Sequence, residues 1–372
     1  MTPTLDELRA VGLANGLDVV GAAAADPFSD TLVSLRGRSH EGLAGSMQFT
    51  YRNPDRSTEP NRVLPAARSL VVGARHYRPA RSQAESVSRP RGRVARYAQH
   101  DHYGALRDGL DAVAGVLTDA GWGARVVFDD NAMVDRAAAH RAGLGWFGKN
   151  TNLLLPGHGS WFVLGAVVTD AGVDSDAHGP AADGCGPCTR CLDGCPTGAI
   201  IRPGVVDATR CLAWSVQAPG VFPRDQRVAL GDRLYGCDEC QDVCPPNRID
   251  DRRQPGFCSG QADVDLLELL ATDDSTLLER FGRWYIGNRD PRHLRRTALV
   301  VLGNVARPDD PKVVEVLVTT AFGPDDLLAA HAVWALGRLG RGDLLAGLES
   351  PPGTLTAVEL AVAAPVVREV VG

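Results

Sequence analysis

The chain has 372 residues, of which 44% are hydrophobic and 23% charged, with a formal net charge of −6. This is ordinary for a soluble protein and supplies core for two or three domains. The acidic balance by itself argues against a nucleic-acid partner, and no apolar run approaches the roughly 18 residues a membrane helix needs.

In chain order, MTPTLDELRAVGLANG opens with apolar residues at helical spacing from Leu5 to Asn15. It resembles neither a signal peptide nor a twin-arginine export signal, so a cytoplasmic location is expected. Val19 to Asp26 and Arg68 to Ala74 are predicted buried strands. Gly104 to Ala120 carries Leu106, Leu110, Val113 and Leu117 on one helical face and stops at Gly121. The strand ARVVFDD, a helix from about Ala132 to Arg141, and the strand Ser160 to Asp170 complete an α/β pattern. A Gly-, Asp-, Ala- and Pro-rich linker then leads into the cysteine region. Beyond a second boundary near Asp251 to Gln261, the sequence is predicted helical. There LRRTALVVLGNV (294–305) and LAAHAVWALGRL (328–339) recur about 34 residues apart, as in a helical repeat array. The expected architecture is an α/β domain over 1–175, a ferredoxin-like domain over 176–252 and HEAT-like helical repeats over 253–372.

Eight of nine cysteines form two interlocking runs. The first, CGPCTRCLDGCP, has Cys185, Cys188, Cys191 and Cys195. The second, CDECQDVCP, has Cys237, Cys240 and Cys244, with Cys211 upstream filling its missing first position. C-x2-C-x2-C-x3-C-P is the two-cluster ferredoxin spacing, in which three thiolates hold one cubane and the fourth reaches to the other. The spacing therefore assigns Cys185, Cys188, Cys191 and Cys244 to one [4Fe–4S] cluster. It assigns Cys195, Cys211, Cys237 and Cys240 to the second. Tetrahedral zinc would suit paired C-x2-C motifs, but gives no reason for a doubled x3-C-P tail. Cys258 is given no role.

Clusters relay electrons without defining a reaction. The richest remaining segment is FDDNAMVDRAAAHRAGLGWFGKNTNLLL, Phe128 to Leu155. It places Asp129 and Asp130 at a strand end, where α/β proteins place ligand-facing groups; either could instead cap the following helix. Gly143, Gly145 and Gly148 formally match a dinucleotide fingerprint, but they follow a helix rather than a strand. Lys149 and Asn150 offer donors. Lys149 is one of only two lysines beside 37 arginines, which suggests a task for a compact ammonium. Two arginine-dense stretches, 75–107 and 280–296, could bind phosphate or simply form solvated faces. The second also carries Phe281, Trp284 and Tyr285, which could stack on a base or pack a core.

GSMQFTYR near Gly45, ARYAQHDHY from Ala95, the D…DRAAAHRAGLGWFGKN block, both cysteine runs with RLYGCDECQDVCPPN, and the terminal LGN helices fall in one order. In that order the chain resembles the epoxyqueuosine reductase family. The resemblance implies an oxidoreductase of tRNA queuosine biosynthesis that binds two [4Fe–4S] clusters and a base-off cobalamin. It implies Asp129 as the catalytic proton donor beside the cofactor. Lys149 and Asn150 would lie near the corrin, and the turn from Gly236 to Asp238 would pass close to it. The tRNA anticodon stem-loop would be the partner and a low-potential protein the electron donor, with no membrane and a monomeric chain. The chain departs from the family pattern at Asp130, where Ser or Thr is usual, in lacking a proline in DDNAMVDR, and at Val216–Ala218 and Arg296–Thr297. A reductive dehalogenase-like enzyme with a small organic substrate would use the same redox core. A plain electron-transfer protein would leave the front domain without a use.

Overall fold

The computed structural model describes residues 1–82, 89–175, 179, 181–253 and 256–370, with side chains through residue 362. The chain divides into two compact units, and neither is continuous in sequence. The first comprises Met1–Pro79, His100–Cys211 and Asp238–Cys258; the second comprises Ala80–Gln99, Leu212–Cys237 and Ser259–Gly372.

The first unit is built on a four-stranded sheet in the order Val19–Ala24, Ser69–His76, Phe162–Thr169, Ala124–Phe128. Every neighbouring pair is antiparallel. Alternation along Ser69–His76 sends Leu70, Val72 and Ala74 to one face, where they pack with Ala137, Ala138 and Ala139 of the helix Asp135–Arg141. The opposite face receives the helix His102–Asp119, which Asp101 caps by accepting from the Gly104 amide at 2.9 Å. Gly73 and Gly165 make that contact possible. A Cβ at Gly165 would stand 2.7 Å from Leu110 Cδ1, and one at Gly73 would stand 3.0 Å from Leu110 Cδ2. Leu106, Leu110, Val113 and Leu117 are all fully buried. Each such side chain contributes roughly 1.5–3 kcal/mol of transfer free energy.

The antiparallel pairing corrects one sequence argument. Ligand placement beyond the carboxyl ends of strands is a rule for open parallel sheets, so it does not explain Asp129. The turn after Phe128 has to be accounted for by its own contacts.

The second unit contains a three-stranded sheet, Arg233–Tyr235, Arg91–Val94, Asp263–Asp265, parallel across the first pair and antiparallel across the second. Asp263–Asp265 is thus a strand within a stretch that the sequence reads as helical. The helices Arg292–Val305, Pro311–Ala321, Asp326–Arg338 and Leu355–Val370 follow. Asp265, Asp273, Asp310 and Asp325 each cap a helix through a side-chain oxygen. The repeated Leu-Gly has a packing reason in its first copy. A Cβ at Gly303 would lie 2.8 Å from the Trp334 ring and 2.9 Å from Ala335 Cα. Glycine therefore lets the helix Arg292–Val305 close against Asp326–Arg338.

The second arginine-dense stretch serves this unit internally. Arg296 is fully buried, and its guanidinium donates to the carbonyls of Ser215, Val216, Ala218 and Gly220. Arg295 pairs with Asp274 at 2.6 Å, Arg280 with Glu268 at 2.6 Å and Arg292 with Asp290 at 2.6 Å. Phe281 and Trp284 are buried, and Trp284 stacks on Tyr235 with centroids 4.3 Å apart. Core packing is their role, and base stacking is excluded for both; Tyr285 remains half exposed. In the first stretch Arg91 pairs with Asp263, Arg89 with Asp265 and Arg93 with Asp232.

Candidate functional site

Seven of the eight cluster-spaced cysteines lie in the first unit, and Cys237 ends the adjoining segment of the second. All eight are partly buried. The first run turns through the short helix Arg190–Asp193, and the second through Glu239–Asp242. Cys244 stands within electrostatic reach of Cys191, Cys185 and Cys188. Burial first, offset in part by the Asn247 amide, and then the charge of those three thiols push Cys244 up to about 11. Four mutually repelling sulfurs fit a cationic core that would relieve them.

Cys195 is treated differently. Burial again opposes its ionisation, but the amides of Thr197, Ile200 and Ala199 outweigh burial and lower its pKa. The Ala199 amide donates to its sulfur at 3.2 Å. A cubane presents four separate iron corners, and the four thiols in electrostatic reach of one another could serve them.

The GLGWFGKN glycines form a hairpin, not a phosphate loop. Trp146–Phe147 pairs with Leu153–Leu154, and the Gly148 amide donates to Asn152 O at 2.8 Å. A Cβ at Gly145 would lie 2.2 Å from Leu154 O, so the close approach is to the chain's own backbone. The hairpin tip holds the cysteine loops. Lys149 Nζ donates to Gly186 O at 2.6 Å and to Cys188 O at 2.9 Å. Asn150, which is buried, donates through Nδ2 to Cys240 O at 3.1 Å. A compact ammonium reaching two adjacent carbonyls suits Lys149 where a planar guanidinium would not.

In the second unit, Gly236 has φ of 73°, and a Cβ there would stand 2.5 Å from Ala95 Cβ. Asp238, at the start of the next segment of the first unit, is buried ahead of the helix Glu239–Asp242. Its carbonyl accepts from Gln241 and Asp242.

Asp129 sits in a left-handed backbone conformation, φ 46°, directly after Phe128. Such a conformation in a non-glycine residue is costly and concentrates at functional sites. The loop is tied down by Ser57 Oγ, which donates to Asn131 O at 2.7 Å. Asp130 Oδ1 accepts from the Ala132 amide at 3.0 Å, closing a local turn. Neither aspartate caps the helix Asp135–Arg141, which has no side-chain cap.

The Asp129 carboxyl is open to solvent, yet protein crowds it enough that desolvation, and then the charge of Asp130, push it up to about 6. Because the carboxyl is exposed, water screens part of this effect.

Two residues of this site had no role in the sequence reading. Asp135 has an inaccessible Oδ1 with no hydrogen-bond partner. Burial, and next the charge of Asp129, push its carboxyl up to about 8, with the Asp129 amide and Arg136 pulling the other way. Tyr103 stacks on Phe128 with centroids 6.0 Å apart and planes at 19°. Its pKa is raised by burial and then by Asp129 and Asp135. The sequence shows both residues, in ARYAQHDHY and in DNAMVDR, but nothing in their spacing brings them together.

The 4Fe-4S double cluster binding domain family matches residues 184–247. The epoxyqueuosine reductase of Xanthomonas campestris pv. campestris is 35% identical over 316 residues, 82% of this chain and 88% of that one. That of Bacillus subtilis is 31% identical over 345 residues, 90% of this chain and 87% of that one. A solved epoxyqueuosine reductase with a tRNA-Tyr epoxyqueuosine-modified stem loop superposes with a TM-score of 0.83 at 28% identity, covering 98% of both chains. The structure from Streptococcus thermophilus gives a TM-score of 0.85 at 27% identity, over 97% of this chain and 98% of that one. Similarity of this extent in both sequence and architecture means that the chain belongs to the epoxyqueuosine reductase family, whose members are oxidoreductases.

Proposed function

We propose that the protein reduces epoxyqueuosine to queuosine in the anticodon loop of a tRNA. The epoxide loses its oxygen as water, a carbon–carbon double bond forms, and two electrons and two protons are consumed. The observation that carries this reading is a solvent-open, protonatable Asp129 in the same compact unit as seven of the eight cluster thiols. A redox relay and an acid are the two components the reaction requires. In the likeness, one solved relative is bound to an epoxyqueuosine-modified tRNA stem loop. Another, from Bacillus subtilis, has an aspartate catalytic loop swung out of its active site.

The residues divide the work as follows. Cys185, Cys188, Cys191 and Cys244 hold one [4Fe–4S] cluster, and Cys195, Cys211, Cys237 and Cys240 hold the other. A base-off cobalamin, when bound, would supply low-valent cobalt as the two-electron reductant. The orphaned Asn131 Oδ1 and Trp146 Nε1 fit such a cofactor, because the carboxamides around a corrin offer both donors and acceptors. Gly236 and Asp238, which flank Cys237 in the second cysteine run, would lie near that cofactor. Lys149 and Asn150 act on the cofactor indirectly, by fixing the loops that carry Cys188 and Cys240. Asp129 protonates the departing oxygen, and its raised pKa keeps a usable fraction protonated near neutrality.

The front α/β segment, 1–175, carries the corrin and the acid; 176–252 carries the clusters; 253–372 is a HEAT-like helical support. The protein works as a cytoplasmic monomer fed by a low-potential donor.

The test is anaerobic reconstitution with a chemical reductant and tRNA bearing epoxyqueuosine, followed by nucleoside mass spectrometry. The reading predicts loss of one oxygen mass from the modified nucleoside. Turnover of a small organohalide with none of the tRNA would replace it with the dehalogenase reading.

A further inference from the structure

Removal of an epoxide oxygen as water uses two protons, and Asp129 holds one. Solvent could supply the second, but a site that protects a low-valent cofactor benefits from an internal source. We propose that Asp135 is that source, a half-buried carboxylic acid with one oxygen shut off from solvent, which reloads Asp129 between the two proton deliveries. The proposal rests on the epoxide-reduction reading above.

The geometry singles out this residue. Asp135 is the first residue of the helix Asp135–Arg141, and its side chain lies against the backbone of Asp129. Its Oδ1 is shut off from water and meets no donor, an arrangement that disfavours a carboxylate and favours the acid. The charged and titratable groups facing it are Asp129, Asp130 and Arg136, with Tyr103 completing the cluster. Three of these four neighbours are acidic groups; against them, the Asp129 amide and then Arg136 favour its ionisation. The two carboxyls are thereby pushed apart, to about 6 for Asp129 and about 8 for Asp135. A pair with separated pKa values is the pattern by which an outer acid and an inner reserve divide a task.

The balance closes without a further reactant. Two electrons arrive through the clusters; the first proton passes from Asp129 to the epoxide oxygen as one carbon–oxygen bond breaks. Asp135 returns a proton to the Asp129 carboxylate, and that second proton leaves with the oxygen as water as the other bond breaks. Asp135 touches no substrate and is a positioning and supply residue, not a catalytic one.

Two readouts test this on the cluster-loaded full chain. In infrared spectra, the band of a protonated carboxylic acid should persist at pH 7 and vanish in Asp135→Asn. In Asp129→Asn the band should titrate away at lower pH, because a neighbouring negative charge has been removed. In the activity profile, the wild type should lose rate above about pH 6 and again above about pH 8. Asp135→Asn should lose the second descent and on the order of 10²-fold in rate, the low end for a proton-transfer residue. Asp135→Glu should restore both. A wild-type band absent at pH 7, or an Asp135→Asn profile identical to wild type, overturns the proposal. If Asp135→Asn does not fold, the band in Asp129→Asn decides alone. A protein that shows the band but never reduces epoxyqueuosine refutes the function and leaves the half-buried acid standing.

Discussion

Cys195 and Asp129 face the same cost and resolve it in opposite directions. Burial opposes the anion in both. Around Cys195, the amides of Thr197, Ile200 and Ala199 converge on the sulfur and lower its pKa, preparing a ligand. Around Asp129 no such set is found; the neighbouring charge is that of Asp130, and the carboxyl is raised toward neutrality. Desolvation alone does not decide whether a site stores an anion or a proton. The backbone amides decide it.

The comparison is broken most severely at the cysteines. Cys195→Ser should leave about four of roughly eight iron atoms per chain, because one cubane loses a corner, and should abolish turnover. Iron and sulfide analysis after anaerobic purification reads this directly. Zinc in stoichiometric amount without sulfide would refute the cluster assignment.

Next in size is a control from the second unit. Arg296→Ala removes a buried guanidinium that satisfies four backbone carbonyls. It should cost about 3 kcal/mol or more in chemical denaturation, since unsatisfied buried groups and a cavity add. If it instead changed only tRNA affinity, the residue would be an RNA contact after all.

Asp135 gives a smaller effect with a defined sign. Its folded pKa, about 8, lies above the ordinary carboxyl value, so the folded state holds a proton that the unfolded state releases. Stability should therefore decline as pH rises from about 4 toward 8. Asp135→Asn removes this penalty, and its gain in melting temperature over wild type should grow across that window. A gain independent of pH would contradict the protonated-acid assignment.

The smallest effect belongs to the hairpin that serves the cysteine loops. Asn150→Ala removes a buried donor to the Cys240 carbonyl, at about 0.5–1.5 kcal/mol, and should hasten loss of iron in air while leaving the initial cluster content normal.

The sequence made the double-cluster cysteine set legible because a cubane's reach is encoded in spacing a few residues long. The strands and the helix His102–Asp119 were legible from periodicity. The roles of Phe281, Trp284 and Arg296 were not. A cluster of arginines and aromatics reads alike whether it faces RNA or fills a core, and only the partners distinguish the two. The GLGWFGKN glycines were legible only in part for a related reason: close backbone approach is visible in sequence, but its target, Leu154 in this chain, is not. Tyr103 and Asp135 lie on either side of Asp129 in sequence, 26 residues before it and six after, and only the folded sheet and its turn bring the three into one electrostatic cluster.

The most direct test of the central claim compares Asp129→Asn with Asp130→Asn in single-turnover reduction of epoxyqueuosine-containing tRNA, with clusters and cofactor quantified in both. The account predicts that Asp129→Asn loses about 10²–10⁴-fold in rate with its cofactors intact. Asp130→Asn, whose side chain closes a local turn, should stay within a few-fold of wild type. The reverse result, with Asp130 essential and Asp129 dispensable, would contradict it.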